Sequence, residues 1–504
     1  MKNTPNQDPP KRMSNKFAAA RTPSPDLAAR REFWQTTTPF DPKQTLGSWQ
    51  TRYEQGKALR GQTPRESHAA WSPAANRTDP VATVLASNAG REESLVPLRM
   101  GRMAASPFAF LRGAATVMAG DLAHTPVSGP QVHMDGDAHI NNFGLYGTPQ
   151  RDVVIDINDF DEATVGPWEW DLKRLVASVN VAGRENGLSA KERSTAVRRC
   201  VAGYSMNARR LREFGILETW SLFAYAELER NAAALKMLGM KVDNKFRAIV
   251  GKVLKKALRT RNDTLLAKVA QRQQDGGWRF VEEPPILTNL DEVTKQKVIA
   301  SLVGYAETLP PEFRFMLQRY AVADVCHRVV GVGSVGLRAY LVLLFGNGDN
   351  DPLFLQVKEA AAPAHAPYLP SADFRIDHEG RRVITLERCM QSLGDPLLGY
   401  TTIDGRPFFV RLMKNLKASM PIEFLTGEPF EFWGWACGAL LARTHARTGD
   451  IARIAGYIGS SDTFAIALAE FAEAYGDQTE RDHAELVEAI STGRVVALEE
   501  SDRG

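Results

Sequence analysis

A chain of 504 residues, 44% apolar and 24% charged, has room for roughly three average domains and the composition of an ordinary globular protein. Its 62 basic and 59 acidic residues leave a net charge of +3, so no overall field argues for a nucleic-acid partner. Cys200, Cys326, Cys389 and Cys437 lie far apart with no C-x-x-C spacing, which excludes a zinc knuckle and a disulfide framework and fits a reducing cytoplasm.

No export signal is expected, because Glu32 follows Arg30-Arg31 where such a signal would turn apolar. No run of ~18 apolar residues occurs either. The best candidate, Val329 to Phe345, carries Arg338 and is broken by three glycines, so no membrane span is expected.

In chain order, residues 1–90 are polar and scattered with prolines, which predicts a disordered or extended arm. From Ser106, apolar residues three to four apart (Phe108, Leu111, Ala115, Met118, Leu122) predict a helix capped by Ser106-Pro107. A loop dense in Asp, His and Asn follows at His133 to Asn142, then a strand at Val153-Val154-Ile155 and an acidic loop from Asn158 to Glu162. Residues 168 to about 325 show mostly helical spacing, including a stripe at Trp220, Phe223, Ala224 and Leu228. The character then changes: residues 326–418 carry a glycine-rich β-hairpin, further strands, and a short helix around Arg388. Helices from Phe430 to His445 and from Thr463 to about Ile490 close the chain and are expected to pack back on a helical lobe spanning 91–325.

Phosphoryl transfer needs a carboxylate at the attacking hydroxyl, oxygen ligands for Mg²⁺, a cation on the phosphates and a backbone cover. Asp137 and, five residues on, Asn142 have the spacing of a kinase-type catalytic loop, Asp137 to orient or deprotonate the acceptor and Asn142 to offer its amide oxygen to the metal. Asp159, just after a strand, is the first choice of carboxylate ligand, with Asp161 two residues on. Gly331, Gly333 and Gly336 form a G-x-G-x-x-G between two predicted strands, where backbone N–H groups can approach phosphate. Lys358, at the end of the next strand, is placed to hold the phosphates, and Glu387 is its expected ion-pair partner.

The segment from Asp159 to Asp171, DFDEATVGPWEWD, resembles the acidic metal loop of aminoglycoside and choline kinase-like enzymes, and its register through Pro167 and Asp171 prefers Asp159 over Asp156. Together, SPFAFLRGAATVMAGDLA, GDAHINNFG, DINDFDEATVGPWEWDLKRL and LFLQVKEA resemble the bacterial domain of unknown function 2252 family, from about Leu95 to His483. The kinase resemblance implies roles for Asp137, Asn142 and Asp159; it departs at Asp135, where those enzymes carry His before Gly-Asp. Kinases place the glycine loop and lysine first, so the expected architecture is an α+β, protein-kinase-like two-lobed fold in circularly permuted order.

The leading expectation is an ATP- and Mg-dependent phosphotransferase acting on a small-molecule or protein hydroxyl acceptor. Two others stand beside it. One is a nucleotide-binding pseudokinase with a regulatory or scaffolding role. The other is a metal-dependent phosphoesterase, suggested by the D-x-H of Asp137-Ala138-His139. His139 is expected to be structural, and the basic run from Lys252 to Arg259 to be the solvated face of a helix. Trp433, Trp435, Leu440 and Leu441 are expected in the core.

Overall fold

A computed structural model describes residues 45–226, 231, 242–329, 331–370, 376–413 and 416–498. The chain is an α+β protein, 52% helical and 16% strand. The central helix, Trp168–Glu185, is buried along nearly its whole length. Helix Ala190–Leu211 lies beside it, and the closing helices Gly427–Thr448 and Thr463–Ser491 pack on both. The close approach needs small residues: a Cβ on Gly438 would stand 2.1 Å from the Cys200 carbonyl oxygen, and one on Gly203 2.1 Å from that of Trp435. Trp433, Trp435, Leu440 and Leu441 are buried in this core.

Beyond it lies a six-stranded antiparallel sheet with spatial order Gly399–Ile403, Arg406–Leu412, Pro352–Glu359, Ala339–Phe345, Ala321–Arg328, Leu287–Asn289. Helix Glu292–Glu307 covers one face through Val298 and Tyr305, which meet Tyr340, Val342 and Leu355. Leu265, Leu266 and Phe280 cover the other, meeting Leu341, Leu343 and Phe354. Burial on both faces explains why Tyr340 to Phe345 reads as one continuous apolar run without alternation. The sheet begins before residue 326, since 287–289 and 321–328 belong to it.

Three expectations are corrected. Residues 45–90 of the expected arm are folded: helix Trp49–Ala58 packs on Ile451–Ile458, and Pro80–Ala86 on the last helix. Long-range staples hold them, with Arg77 bridging Asp121 and Asp482 and buried His68 bonding the Tyr457 hydroxyl at 2.7 Å. Residues 1–44 lie outside the described residues. The helix from Ser106 is two, Pro107–Gly113 and Ala115–Leu122, broken at Ala114. The stripe at Trp220 to Leu228 is a short helix, Ile216–Ser221, followed by a strand, Ala224–Tyr225, with Leu228 outside the described residues.

Candidate active site

Two strand pairs force the loop at 135–142 and the acidic loop at 158–162 together. Gln131–Met134 enters the first loop and Thr164–Pro167 leaves the second, and these pair; Phe143–Gly147 leaves the first and Val153–Ile157 enters the second, and these pair also. Gly136 marks the closest approach, at φ +77°, where a Cβ would stand 2.2 Å from the Glu162 carbonyl oxygen. Only glycine fits both constraints.

The loop at 135–142 rests on the central helix. Asp171 accepts from the backbone N–H of Asp135 (2.7 Å) and Gly136 (2.9 Å), and the Ser178 hydroxyl accepts from Ile140 N–H at 2.8 Å. His445 reaches Asp171 at 3.1 Å and is itself held by the Tyr204 hydroxyl at 2.8 Å. Arg174, one helical turn beyond Asp171, donates twice to Asp137 Oδ1, at 2.7 and 3.0 Å, and once to the Leu111 carbonyl. Asp137 Oδ2 faces His139 at 3.7 Å. Burial pushes the Asp137 carboxyl up to about 7 against the pull of Arg174, in the range where a general base is most effective near neutral pH.

Asn142 donates its amide N–H groups to Asp135 Oδ2 (3.1 Å) and to the carbonyls of Asp137 (3.3 Å) and Asp159 (3.0 Å). Its amide oxygen remains as the acceptor. Asp135 is fully buried, and burial followed by the Asp171 and Asp137 charges raises its carboxyl well above the usual range. Asp135 Oδ2 thus braces the Asn142 amide, while Asp135 Oδ1 is buried without a hydrogen-bond partner.

Asp159 keeps about half of its side chain accessible. Burial opposes its ionisation, but Lys358, Arg411 and Lys417 outweigh that and hold it below the ordinary carboxylate range. Asp161 is raised, by burial and then by Asp159. Asp156 is buried and bound to Arg443. Lys358, 2% exposed, forms a close ion pair with Asp161 and stands 4.0 Å from Asp159.

Glu387 is therefore corrected as the lysine's partner. It lies buried on helix Glu379–Met390 with Oε2 unbonded, and burial pushes it up to about 7 against the pull of Arg411. The acidic loop binds that helix through Arg382, which donates to the Asp161 and Ala361 carbonyls at 2.8 Å each.

A cleft of about 370 Å³ is lined by Asp137, Asp159, Asp161, Gly331 and Gly333, and by Arg91, Arg99 and Arg112, none of them a sequence-predicted site residue. Asn142, Gly336, Lys358 and Glu387 lie outside its lining. The glycine turn joins Ala321–Arg328 to Ala339–Phe345, with Gly331 at φ +67° and Gly336 at φ +87°. It is tied to the N-terminal helices: the Gly336 carbonyl accepts from Glu92 N–H at 2.8 Å and the Gly331 carbonyl from Arg102 at 2.6 Å. Asp159 Oδ1 and Asp161 Oδ1 are buried without a partner. Both are hard oxygen donors of the kind Mg²⁺ takes, one or two carboxylates completed by substrate phosphates. Among the described residues no three His, Cys, Asp or Glu side chains converge as a metal cage.

Fold and site together define an α+β protein with an acidic cleft between a helix-braced loop pair and a glycine turn. The chain belongs to the bacterial family of uncharacterised proteins described as domain of unknown function 2252, whose model matches residues 91–489. No curated protein and no solved structure matches it.

Proposed function

We propose that this protein is an ATP- and magnesium-dependent phosphotransferase acting on a hydroxyl acceptor, in a protein-kinase-like fold of circularly permuted order. The observation that carries the reading is the Lys358–Asp161 pair, which brings a strand lysine onto the acidic loop across 197 positions of sequence, beside a cleft shared by Asp137, Asp159 and the glycine turn.

The succession along the sheet supports it: a glycine turn between the first two strands of the run 321–328, 339–345, 352–359, a lysine on the third, then a helix and two more strands. Protein kinases use that succession for the nucleotide. Here it follows the catalytic and acidic loops instead of preceding them.

On this reading Asp137 Oδ2 receives the acceptor's proton while Arg174 fixes Oδ1 and so the direction of the carboxylate. Asp159, Asp161 and the Asn142 amide oxygen would hold the metal, which would neutralise charge on the nucleotide phosphates. Lys358 exchanges its carboxylate partner for phosphate oxygens.

The test is a thermal-shift titration with Mg²⁺ and ATP, since a ligand that binds only the native state raises its stability by about 2.7 kcal/mol at a hundredfold excess over Kd. A magnesium-dependent shift in wild type that Asp159→Asn loses supports the reading. No shift at millimolar ATP overturns it.

One observation favours the pseudokinase alternative: kinase activity requires the strand lysine to pair with a glutamate on the following helix, and Glu387 does not make that pair. Nucleotide binding without turnover on any hydroxyl acceptor would select it.

A further inference from the structure

Several buried polar atoms without a hydrogen-bond partner line the cleft. Asp159 Oδ1, Asp161 Oδ1 and His139 Nδ1 come from the two loops, and Arg99 Nε, Arg112 Nε and Thr116 Oγ1 from the N-terminal helices. The loops thus bring unpaired carboxylate acceptors to the cleft and the helices unpaired guanidinium donors. Buried polar groups are ordinarily bonded, so a cavity with unsatisfied groups of both kinds fits a ligand that bonds both walls.

The arginines differ in how far the protein has already used them. Arg91 donates to the Ser87 and Val335 carbonyls, and Arg99 to Ser87, Asn88 and Gly113. Arg112 has no hydrogen bond or ion pair among the described residues, and its guanidinium only lies over the Phe108 ring at 5.9 Å. Its neighbour Arg174 has taken both the Asp137 carboxylate and the Leu111 carbonyl. Burial lowers Arg112 from its ordinary value, and the two carboxylates that counter this most are Asp137 and Asp159, neither of which pairs with it. A free guanidinium thus stands across from the candidate base and the candidate metal ligand.

We propose that Arg112 binds the transferring phosphoryl group of the nucleotide, as a further catalytic residue supplied by the N-terminal helices. This rests on the phosphotransferase reading. A guanidinium presents a planar fork that matches phosphate oxygens and keeps its charge in a desolvated site. An arginine so placed bonds the γ-phosphate and leaves the rest of the nucleotide to other groups.

The test is titration calorimetry of Mg·ATP and Mg·ADP on wild type, Arg112→Ala and Arg112→Lys. Losing charge-assisted hydrogen bonds predicts ATP affinity about 10- to 100-fold weaker in Arg112→Ala. ADP affinity should stay within about twofold, with Arg112→Lys intermediate because it keeps the charge but not the fork. If Arg112→Ala keeps the wild-type ratio of ATP to ADP affinity, or weakens both nucleotides equally, the assignment is overturned while the phosphotransferase reading stands. If wild type binds neither nucleotide, that reading falls and this assignment with it. Arg112→Gln, which keeps the side chain's bulk over Phe108, replaces Arg112→Ala should the alanine variant not fold, and the same ratios decide.

Discussion

On the floor of the cleft the loop at 135–142 takes its shape from buried side chains of the helix beneath it. On the roof the glycine turn takes its shape from side chains and backbone of the N-terminal helices. Asp171 and Ser178 bond loop backbone in the interior, and Asp171 is backed by His445 and, through it, Tyr204. The roof hangs on Arg91, Glu92 and Arg102, which are only partly buried. A hydrogen bond made in a low-dielectric interior is stronger, and losing one partner there costs more. The floor is thus built to hold one geometry, while the position of the roof depends on a segment far from it in sequence.

Substitutions can break or sharpen this contrast. The largest effect belongs to the candidate base: Asp137→Asn should lower turnover by about 10²- to 10⁴-fold. In wild type the carboxylate must be ionised to accept a proton. With the group at about 7, kcat/KM should climb as pH rises toward 7 and level off above it, and the variant should lose that limb. A profile flat from pH 5 to 8 would remove Asp137 from the chemistry.

Next, Asp171→Ala deprives two buried N–H groups and His445 of a charged acceptor. Urea unfolding should show a loss of about 3 kcal/mol or more; a loss under 1 kcal/mol would mean that the floor is braced elsewhere. Gly136→Ala meets both a positive φ and a carbonyl oxygen, so it should cost about 1–3 kcal/mol and weaken magnesium-dependent ATP binding by parting the two loops.

The smallest effects are on the roof. Gly331→Ala and Gly336→Ala should each cost about 1 kcal/mol for their left-handed φ. A Cβ on Gly333 finds only an ordinary contact, 3.6 Å from the Arg112 carbonyl oxygen. Gly333→Ala should fall within about 0.5 kcal/mol of wild type.

What the sequence made legible was chemistry written locally. Gly136 to Phe143, Asn158 to Glu162 and the glycines at 331–336 stand out by particular residues at short spacing, and residues of all three line one cleft. The closing helices were equally plain, since their apolar stripes run for several turns.

Features that depend on partners distant in sequence were hidden. Arg77 looks like one more charge in a proline-scattered stretch, yet it joins Asp121 and Asp482, 44 and 405 positions away. The same concealment covers Arg112, which lies inside SPFAFLRGAATVMAGDLA but at no spacing that marks it as a ligand. Arg174 left a fainter trace, since its place three residues after Asp171 sets both on one face of a helix. Glu387 failed as the lysine's partner for a related reason: spacing put it on the right helix, but the acidic loop, folded in from far upstream, reached Lys358 first.

If floor and roof close on one ligand, hydrogen–deuterium exchange with and without saturating Mg·ATP should show it. Added protection is expected at both the glycine turn, residues 331–337, and the acidic loop, residues 158–162, with both losses of exchange abolished in Asp159→Asn. Protection at neither segment, or at one alone, would contradict it.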